Sequence, residues 1–305
     1  MMRRVYRAVR HEFQRADVTA RAGPFGVPWV AKKRYKEPMT DQLITVQTLE
    51  PLVGTDRVIV IDAREEEAYE DGHIPGAINV HPSQLECVET LACGTDVPHQ
   101  LRPTLEVAAV LSAAGVTSGT RVCIYDEGGG FLAARLWWIL DVVGHSRAQL
   151  LDGGYFCWAT ETAAIEDGFT SAAPAEFVPS PHGDRRVGFA DVITAIGRPD
   201  VVLCNSLPYD AFLDETIPGS VSFPYTETFA EESYPLMRTR HELAAGFAEQ
   251  GITQRSHLIC FCGIGYSASQ LYFAARYSGM HRVSLYDGSM VDWSAHGGQL
   301  VPGQL

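Results

Sequence analysis

The sequence has no long apolar run, no paired-cysteine motif and an excess of acidic residues, and each of these features excludes a class of protein. No stretch reaches the roughly 18 consecutive apolar residues of a membrane span, so no membrane segment is predicted. A formal charge of −13 argues against general binding to nucleic-acid phosphates. The 7 cysteines form no C-x2-C pair, which excludes zinc-ribbon spacings and predicts free thiols in a reducing, cytoplasmic environment.

The basic residues are concentrated at the N-terminus. Residues 1–38 carry ten Lys/Arg against three Asp/Glu, a net of +7, and the remaining residues carry 14 against 34, a net of −20. We expect a disordered basic extension. Two alternatives stay open: a mitochondrial presequence, which the arginines favour but the absence of serine does not, and a true translation start at Met39.

After residue 40 the chain repeats itself. The matching segments are Val58–Asp62 with Val201–Asn205, Ile74–Ala77 with Ile217–Ser220, Gly115–Asp126 with Gly251–Cys262, and Leu151–Trp158 with Tyr286–Trp293. Matches in one order with slowly drifting spacing indicate a duplicated domain. The predicted domains are 39–170 and 188–305, joined by a linker at 171–187 that is rich in Ala, Pro and Ser.

Each copy alternates strand-like and helix-like segments. The strands predicted at 122–125 and 258–261 are each followed by a predicted helix, at 133–143 and 268–277. This order predicts an α/β fold in which each copy is a parallel sheet flanked by helices on both faces. Ligands of such sheets bind where strand ends meet helix starts, which directs attention to the residues immediately after the two strands, Asp126 and Cys262.

Cys262 opens a glycine-containing loop that leads into a predicted helix. Nucleophilic cysteines act as thiolates, which a helix N-terminus favours. Gly263 and Gly265 allow backbone N–H groups to turn toward one sulfur, and Ser267 is predicted to cap the helix. A buried, inert cysteine is the alternative. A protein phosphatase is excluded because its Cys-x5-Arg motif would require arginine where Ala268 stands.

These features together resemble the tandem-domain rhodanese family, the thiosulfate and 3-mercaptopyruvate sulfurtransferases. The segments that carry the resemblance are Asp62-Ala63-Arg64, Gly72–Ala77, Ala133–Trp138, the loop Cys262–Ser267, Tyr286–Ser289 and Trp293. The resemblance covers residues 42–305 and implies two rhodanese-like domains, of which the first lacks the catalytic cysteine because Asp126 takes its place. It also implies that Cys262 is the nucleophile, within an active-site loop of Gly263, Ile264, Gly265, Tyr266 and Ser267.

Two departures from the family pattern bear on the substrate. Leu207 stands where the second domain of the family has an arginine that reaches the substrate anion, and Ile264 fits neither the thiosulfate nor the mercaptopyruvate loop. An anionic donor would then need another cation, for which the candidates are Arg64, Arg135, Arg238 and Arg240. Each also has a structural alternative, as an ion pair, a partner of a tryptophan ring or a solvated surface charge.

The function that the resemblance implies is transfer of a sulfane sulfur from a small anionic donor, thiosulfate or 3-mercaptopyruvate, through a persulfide on Cys262. The implied acceptor is cyanide, a small thiol or a thioredoxin-like protein, and no metal or organic cofactor is implied. A persulfide carrier or sensor, or a binding module, is the alternative, and the absence of arginine at Leu207 favours it.

Overall fold

The structure is a computed structural model that describes residues 42–230 and 236–304. The predicted basic extension at 1–38 and the alternative start at Met39 lie outside the described residues. No helix in the described ranges is both long enough and apolar enough to cross a lipid bilayer. All 7 cysteines lie within these ranges and are free thiols, as predicted.

The first domain contains a parallel sheet and a separate hairpin. Its strands are β1 (Leu43–Ile44), β2 (Ile59–Asp62), β3 (Ile78–Asn79), β4 (Glu86–Thr90), β5 (Asp96–Leu101), β6 (Val122–Tyr125) and β7 (Ala148–Leu151). Its helices are α1 (Val46–Leu49), α2 (Glu66–Glu70), α3 (Thr104–Ala113), α4 (Phe131–Val142) and α5 (Gly154–Glu161). The parallel sheet has the order β1-β7-β6-β2-β3, and β4 and β5 form an antiparallel hairpin.

The second domain repeats this sheet. Its strands are β8 (Arg186–Val187), β9 (Val201–Asn205), β10 (Val221–Ser222), β11 (His257–Phe261) and β12 (Val283–Tyr286). Its helices are α6 (Phe189–Ala195), α7 (Tyr209–Asp214), α8 (Arg240–Glu249), α9 (Tyr266–Tyr277) and α10 (Ser289–Ala295). The order β8-β12-β11-β9-β10 equals that of the first sheet, which confirms the predicted α/β fold and the duplication. Strand β8 pairs with β12 although it lies within the predicted linker at 171–187.

The central strand of each sheet is apolar because it is covered on both faces. Every residue of β6 is buried, as are Leu258–Phe261 of β11, and such continuous apolar runs are typical of strands in parallel sheets. The helix that follows begins earlier than predicted, at residue 131 in the first domain and at residue 266 in the second. The reason is that Gly130 and Gly265 adopt φ values of +87° and +93°, which only glycine adopts readily, and cap the helices.

The two domains share one cluster of buried apolar residues, and each domain also has a cluster of its own. Helices α4 and α9 pack against each other between the two sheets, and Trp137 of α4 contacts Phe273 of α9 edge to face at 5.0 Å between ring centroids. One cluster of buried side chains includes residues of both domains. Since α4 and α9 each start at a loop after a central strand, this packing holds the loop of each domain against the other domain.

Candidate active site

Cys262 follows β11 directly and is 2% exposed. The N–H of Gly265 donates a hydrogen bond to its Sγ at 3.0 Å. The backbone of Cys262 is fixed from α10, because its N–H donates to Ser289 Oγ at 3.1 Å and its carbonyl accepts from the N–H of Met290 at 3.1 Å. The thiol therefore lies at the carboxyl end of the sheet and at the N-terminus of α9, where ligands of parallel sheets bind.

The start of α9 differs from the sequence prediction. Gly265 caps the helix, and the prediction that Ser267 does so was wrong. The Ser267 hydroxyl instead lies 3.1 Å from that of Ser206 after β9. Within the described ranges, the hydrogen bond from Gly265 is the one that reaches Cys262 Sγ, whereas the sequence suggested several such N–H groups.

Tyr266 connects the loop to the first domain. Its hydroxyl donates to Glu86 Oε2 at 2.9 Å, and Glu86 is the first residue of β4 in the first-domain hairpin. Burial, followed by the charge of Glu86, raises the pKa of Tyr266 above that of a free phenol, so the hydroxyl stays protonated and donates. The residue after Gly265 is thus anchored by the domain that lacks the cysteine.

Arg135 reaches the same loop from α4. It is 0% exposed, its Nε donates to Glu86 Oε1 at 2.8 Å, and its Nη2 donates to Asp287 Oδ1 at 2.7 Å and to the carbonyl of His99 at 2.8 Å. Its Nη1 is buried and has no hydrogen-bond partner in the part of the chain that the structure describes. A Cβ placed on Gly265 would lie 3.2 Å from this Nη1, so the free edge of the guanidinium faces the Cys262 loop.

The positive and negative side chains beside the Cys262 loop are equal in number among the described residues, with two guanidinium groups and two carboxylates. Asp287 also accepts from Arg186 Nε at 2.9 Å, so the carboxylates of Glu86 and Asp287 face the guanidinium groups of Arg135 and Arg186. Although burial acts to raise the pKa of Glu86, the charge of Arg135 holds it below its usual value. Arg135 also stacks over the Trp138 ring at 4.5 Å from its centroid, as its structural alternative suggested.

The other three candidate arginines make their contacts elsewhere. Arg64 forms a bidentate pair with Asp62 in the first domain, with its shortest N–O distance 2.7 Å. Arg238 pairs with Glu227 at 3.2 Å, and Arg240 stacks on a tyrosine ring at 5.0 Å from its centroid. A substrate-binding role stays a prediction for all four arginines, and the geometry favours Arg135.

The turn at Leu207 has the same hydrogen bond from a backbone N–H as the equivalent turn at Arg64, although leucine replaces arginine. The N–H of Leu207 donates to Asn205 Oδ1 at 2.9 Å, as the N–H of Arg64 donates to Asp62 Oδ1 at 2.9 Å in the first domain. The second domain therefore keeps the backbone geometry of this turn and lacks its guanidinium. Ile264 is partly exposed beside the cysteine, where it adds an apolar surface to the loop.

Several residues of the site were not among the predicted site residues. They are Glu86, Asp287, Ser206 and Ser289, although Asp287 and Ser289 lie in a segment that carries the family resemblance. Asp287 lies in a segment that repeats as Asp152 in the first copy, and this repetition was a usable signal. Glu86 gives no local signal, because its role depends on the packing of the hairpin against the other domain.

Known proteins are similar to this chain in sequence and fold. A family model described as "Rhodanese-like domain" matches residues 45–161 and 189–296. The 3-mercaptopyruvate sulfurtransferase of Rattus norvegicus is 31% identical over 87% of this chain and 89% of its own length. The thiosulfate sulfurtransferase of Azotobacter vinelandii is 25% identical over 81% of this chain and 92% of its own length. The crystal structure of SseA from Escherichia coli, described with the rhodanese fold, matches with a TM-score of 0.72 at 27% identity, covering 82% of this chain and 99% of that one.

The family model matches the chain twice, the relatives are of similar length and the fold is shared, which agrees with the two equivalent sheets. The chain belongs to the tandem rhodanese family of sulfurtransferases.

Proposed function

We propose that this sulfurtransferase carries the transferred sulfur as a persulfide on Cys262. The observation that carries the proposal is the position of Cys262 Sγ, at the end of β11 and 3.0 Å from the N–H of Gly265. Gly265 is the N-cap residue of a 12-residue helix, and the dipole of this helix favours negative charge at its N-terminus. Both features stabilise a thiolate and, after transfer, the anionic outer sulfur of a persulfide.

The reaction needs no external oxidant or reductant. The thiolate attacks the outer sulfur of thiosulfate, the S–S bond of the donor breaks, and sulfite leaves with the electron pair. With 3-mercaptopyruvate the C–S bond breaks instead, and the carbon takes the electron pair and a proton to give pyruvate. Cyanide or a thiol then attacks the outer sulfur of the persulfide and returns the Cys262 thiolate.

For the donor we propose preference for the monocarboxylate 3-mercaptopyruvate over the dianion thiosulfate. Gly263 replaces the cationic residue typical of thiosulfate enzymes, and Leu207 contributes no charge. Arg135 and Arg186 are already balanced by Glu86 and Asp287. A dianion entering this loop would therefore lose hydration without a free counter-charge, and the cost grows with its charge.

Steady-state sulfur transfer to cyanide, measured with each donor, tests the proposal. Cys262→Ser is expected to abolish transfer, and the matched control Cys260→Ser to retain it. Cys260 is two residues earlier on the same strand and 0% exposed, and burial raises the pKa of its thiol well above the usual value. Transfer that survives Cys262→Ser would contradict the proposal, and a higher kcat/KM for thiosulfate would contradict the proposed donor preference.

A persulfide carrier is the second candidate, and the loss of arginine at Leu207 favours it. A carrier accepts sulfur once from a protein persulfide and turns over small donors poorly. Comparing stoichiometric loading of Cys262 with multiple turnover separates the two functions. Full loading without a second turnover of either small donor would support the carrier, and sustained turnover of either small donor would exclude it.

A further inference from the structure

The two halves contact each other reciprocally at the start of α4 and α9. Arg135 is the fifth residue after the capping glycine Gly130, and Gln270 is the fifth residue after Gly265. A Cβ on Gly265 would lie 3.2 Å from Arg135 Nη1, and a Cβ on Gly130 would lie 2.9 Å from Gln270 Oε1. Gln270 therefore occupies in the first half the place that Arg135 occupies in the second.

A carboxylate follows the last strand in both halves. Asp287 follows β12 and accepts the N–H of Leu101 at 2.9 Å, and Asp152 follows β7 and accepts the N–H of Met237 at 2.9 Å. Asp287 also pairs with the guanidinium groups of Arg135 and Arg186. The two aspartates are thus equivalent in position, and they differ in the charges that surround them.

The first half lacks the charged neighbours of Asp287. Leu43 of β1 pairs with β7 as Arg186 of β8 pairs with β12, so Leu43 stands in the place of Arg186. Phe229 follows the short 3-10 helix 225–228 as Glu86 follows the helix 82–85. Leucine, phenylalanine and glutamine have therefore replaced two arginines and a glutamate, while the carboxylate of Asp152 remains.

An open cleft lies beside Leu43, Phe229 and Gln270, the uncharged residues that stand in the places of the charged residues of the other half. Its volume is about 30 Å³, and its lining includes Asp126, Asp152, Gln270, Leu43 and Phe229. Both volumes count the space open to the centre of a water-sized sphere, and on this scale a single water needs roughly 10–15 Å³. The cleft therefore has room for a group larger than one water. Among the described residues that line it there is no Lys, Arg or His.

The amide of Gln270 presents an unused acceptor to this cleft. Gln270 is 0% exposed, and its Oε1 has no hydrogen-bond partner within residues 42–230 and 236–304. The amide orientation is fixed by its other end: the Thr228 hydroxyl donates to the carbonyl of Tyr225 at 2.6 Å and so accepts from Gln270 Nε2 at 3.0 Å. The oxygen, and not the nitrogen, therefore faces Gly130 and the cleft.

Two carboxylates border the same space, the buried Asp126 and the partly exposed Asp152, and neither is paired with a Lys, Arg or His among the described residues. Asp126 takes the place of the cysteine and accepts the N–H groups of Gly128, Gly130 and Ala133 at 3.0–3.2 Å. Its carboxylate therefore occupies the anion-binding loop of the first domain, at the position where an external anion would bind. Burial raises the pKa of Asp126, although its three N–H donors act to lower it, and burial raises the pKa of Asp152 to about 6.

We propose that this cleft binds a small cation with several N–H donors, a guanidinium or primary ammonium group, in the place that the Arg135 guanidinium fills in the other half. Such a cation offers hydrogen bonds to Gln270 Oε1 and Asp152 and supplies the positive charge that both carboxylates lack. A water molecule offers two donors and no charge. No group of three or more His, Cys, Asp or Glu side chains within 42–230 and 236–304 is arranged to hold a metal ion. Binding of this cation does not depend on the proposed sulfur transfer.

The test is thermal unfolding and calorimetric titration of the full chain with guanidinium chloride or methylammonium chloride at low millimolar concentration. Tetramethylammonium chloride, which has no N–H donor, and potassium chloride serve as controls at equal ionic strength. We expect saturable binding of an N–H cation and a Tm rise of roughly 2–4 °C, and no comparable rise with either control. Equal shifts with all four salts would overturn the proposal.

Two variants and one control complete the test. Gln270→Arg places a covalent guanidinium in the cleft, with the reach that Arg135 shows in the other half, and is expected to raise Tm and abolish the response to the added cation. Asp152→Asn preserves the shape and is expected to weaken binding at least roughly tenfold. Asp200→Asn removes an exposed carboxylate that does not line the cleft, and it should leave binding unchanged. Unaltered binding in Asp152→Asn would overturn the proposal, even if Gln270→Arg failed to fold.

Discussion

The hydroxyl of Tyr266 donates a hydrogen bond of 2.9 Å to the carboxylate of Glu86, and this bond ties the Cys262 loop to the hairpin of the opposite domain. The same carboxylate accepts Arg135 Nε at 2.8 Å, so one buried glutamate holds both the loop and the guanidinium beside it. The domain without the cysteine thus supplies contacts that fix the geometry of the other domain's loop.

Tyr266→Phe removes this bond and keeps the ring. We expect kcat for sulfur transfer to fall roughly tenfold with little change in KM, because the loop loses a fixed point one residue from the N–H that contacts Cys262. The rate of sulfur loading at saturating donor measures it. The matched control is Tyr209→Phe, which changes an exposed tyrosine on α7 and should leave the rate unaltered. An unchanged loading rate in Tyr266→Phe would show that the anchor is not needed.

Arg135→Met leaves Glu86 and Asp287 buried with reduced counter-charge. Breaking a buried ion pair costs about 3–5 kcal/mol, which corresponds to a Tm lower by roughly 6–20 °C in a chain of this size. Arg238→Met breaks the ion pair with Glu227, in which the two side chains are 24% and 38% exposed. This change should lower the free energy of unfolding by less than about 1 kcal/mol. Thermal unfolding of the two variants side by side measures the difference. Similar losses of Tm would show that Arg135 is no more important to stability than a half-exposed ion pair.

Leu207→Arg restores a cation to the second-domain turn. Arg64 at the equivalent turn is held by the carboxylate of Asp62, but Asn205 carries no charge, so an introduced guanidinium stays available to the donor. A charge-assisted hydrogen bond is worth about 1.5–3 kcal/mol, so KM for thiosulfate should fall roughly ten- to a hundredfold. The effect should be larger at low salt than at high salt. An unchanged KM at both salt concentrations would show that another group already binds the anion.

Asp152→Asn changes the pH dependence of stability. Burial raises the folded-state pKa of Asp152 to about 6, and the acidic Glu161 adds to the shift. The unfolded value is about 3.9, so the stability that protonated Asp152 contributes is complete below pH ~4 and is lost as the pH rises through ~6. In sodium phosphate free of ammonium and guanidinium ions, the variant should gain on the wild type between pH 4.5 and 7.5, by at most about 3 kcal/mol. Urea unfolding at both pH values tests this, and an equal difference at both would contradict it.

The sequence predicted the architecture because the signals for it are local. Continuous β-branched runs and the repeated segments at 201–205 and 286–293 are visible without any tertiary contact, and they placed Cys262 at the end of a central strand before a helix. The start of that helix was misplaced, because a serine near a predicted helix start resembles a cap. The conformation of Gly265, which decides the matter, depends on the loop's contacts with Asp287 and Arg135.

The contacts between the domains were beyond sequence reasoning. Arg135 was one of four candidate cations, and only the packing of α4 against α9 shows that it reaches the Cys262 loop. Glu86 gave no signal, because the two partners that connect it to the site, Arg135 and Tyr266, lie 49 and 180 residues further along the chain. Aligning the copies on Gly130 and Gly265 would have paired Arg135 with Gln270 in advance, but the cleft between Gln270 and Asp152 requires the folded structure.

Whether Cys262 carries the transferred sulfur can be read from the intact mass of the protein. The protein is reduced, exposed to thiosulfate or, separately, to 3-mercaptopyruvate, and weighed, with peptide mapping to locate any added mass. We predict a gain of one sulfur atom on Cys262 in the wild type and in Cys260→Ser, greater with 3-mercaptopyruvate, and none in Cys262→Ser. Wild-type mass unchanged with both donors, or an added sulfur that persists in Cys262→Ser, would contradict the proposed role of Cys262.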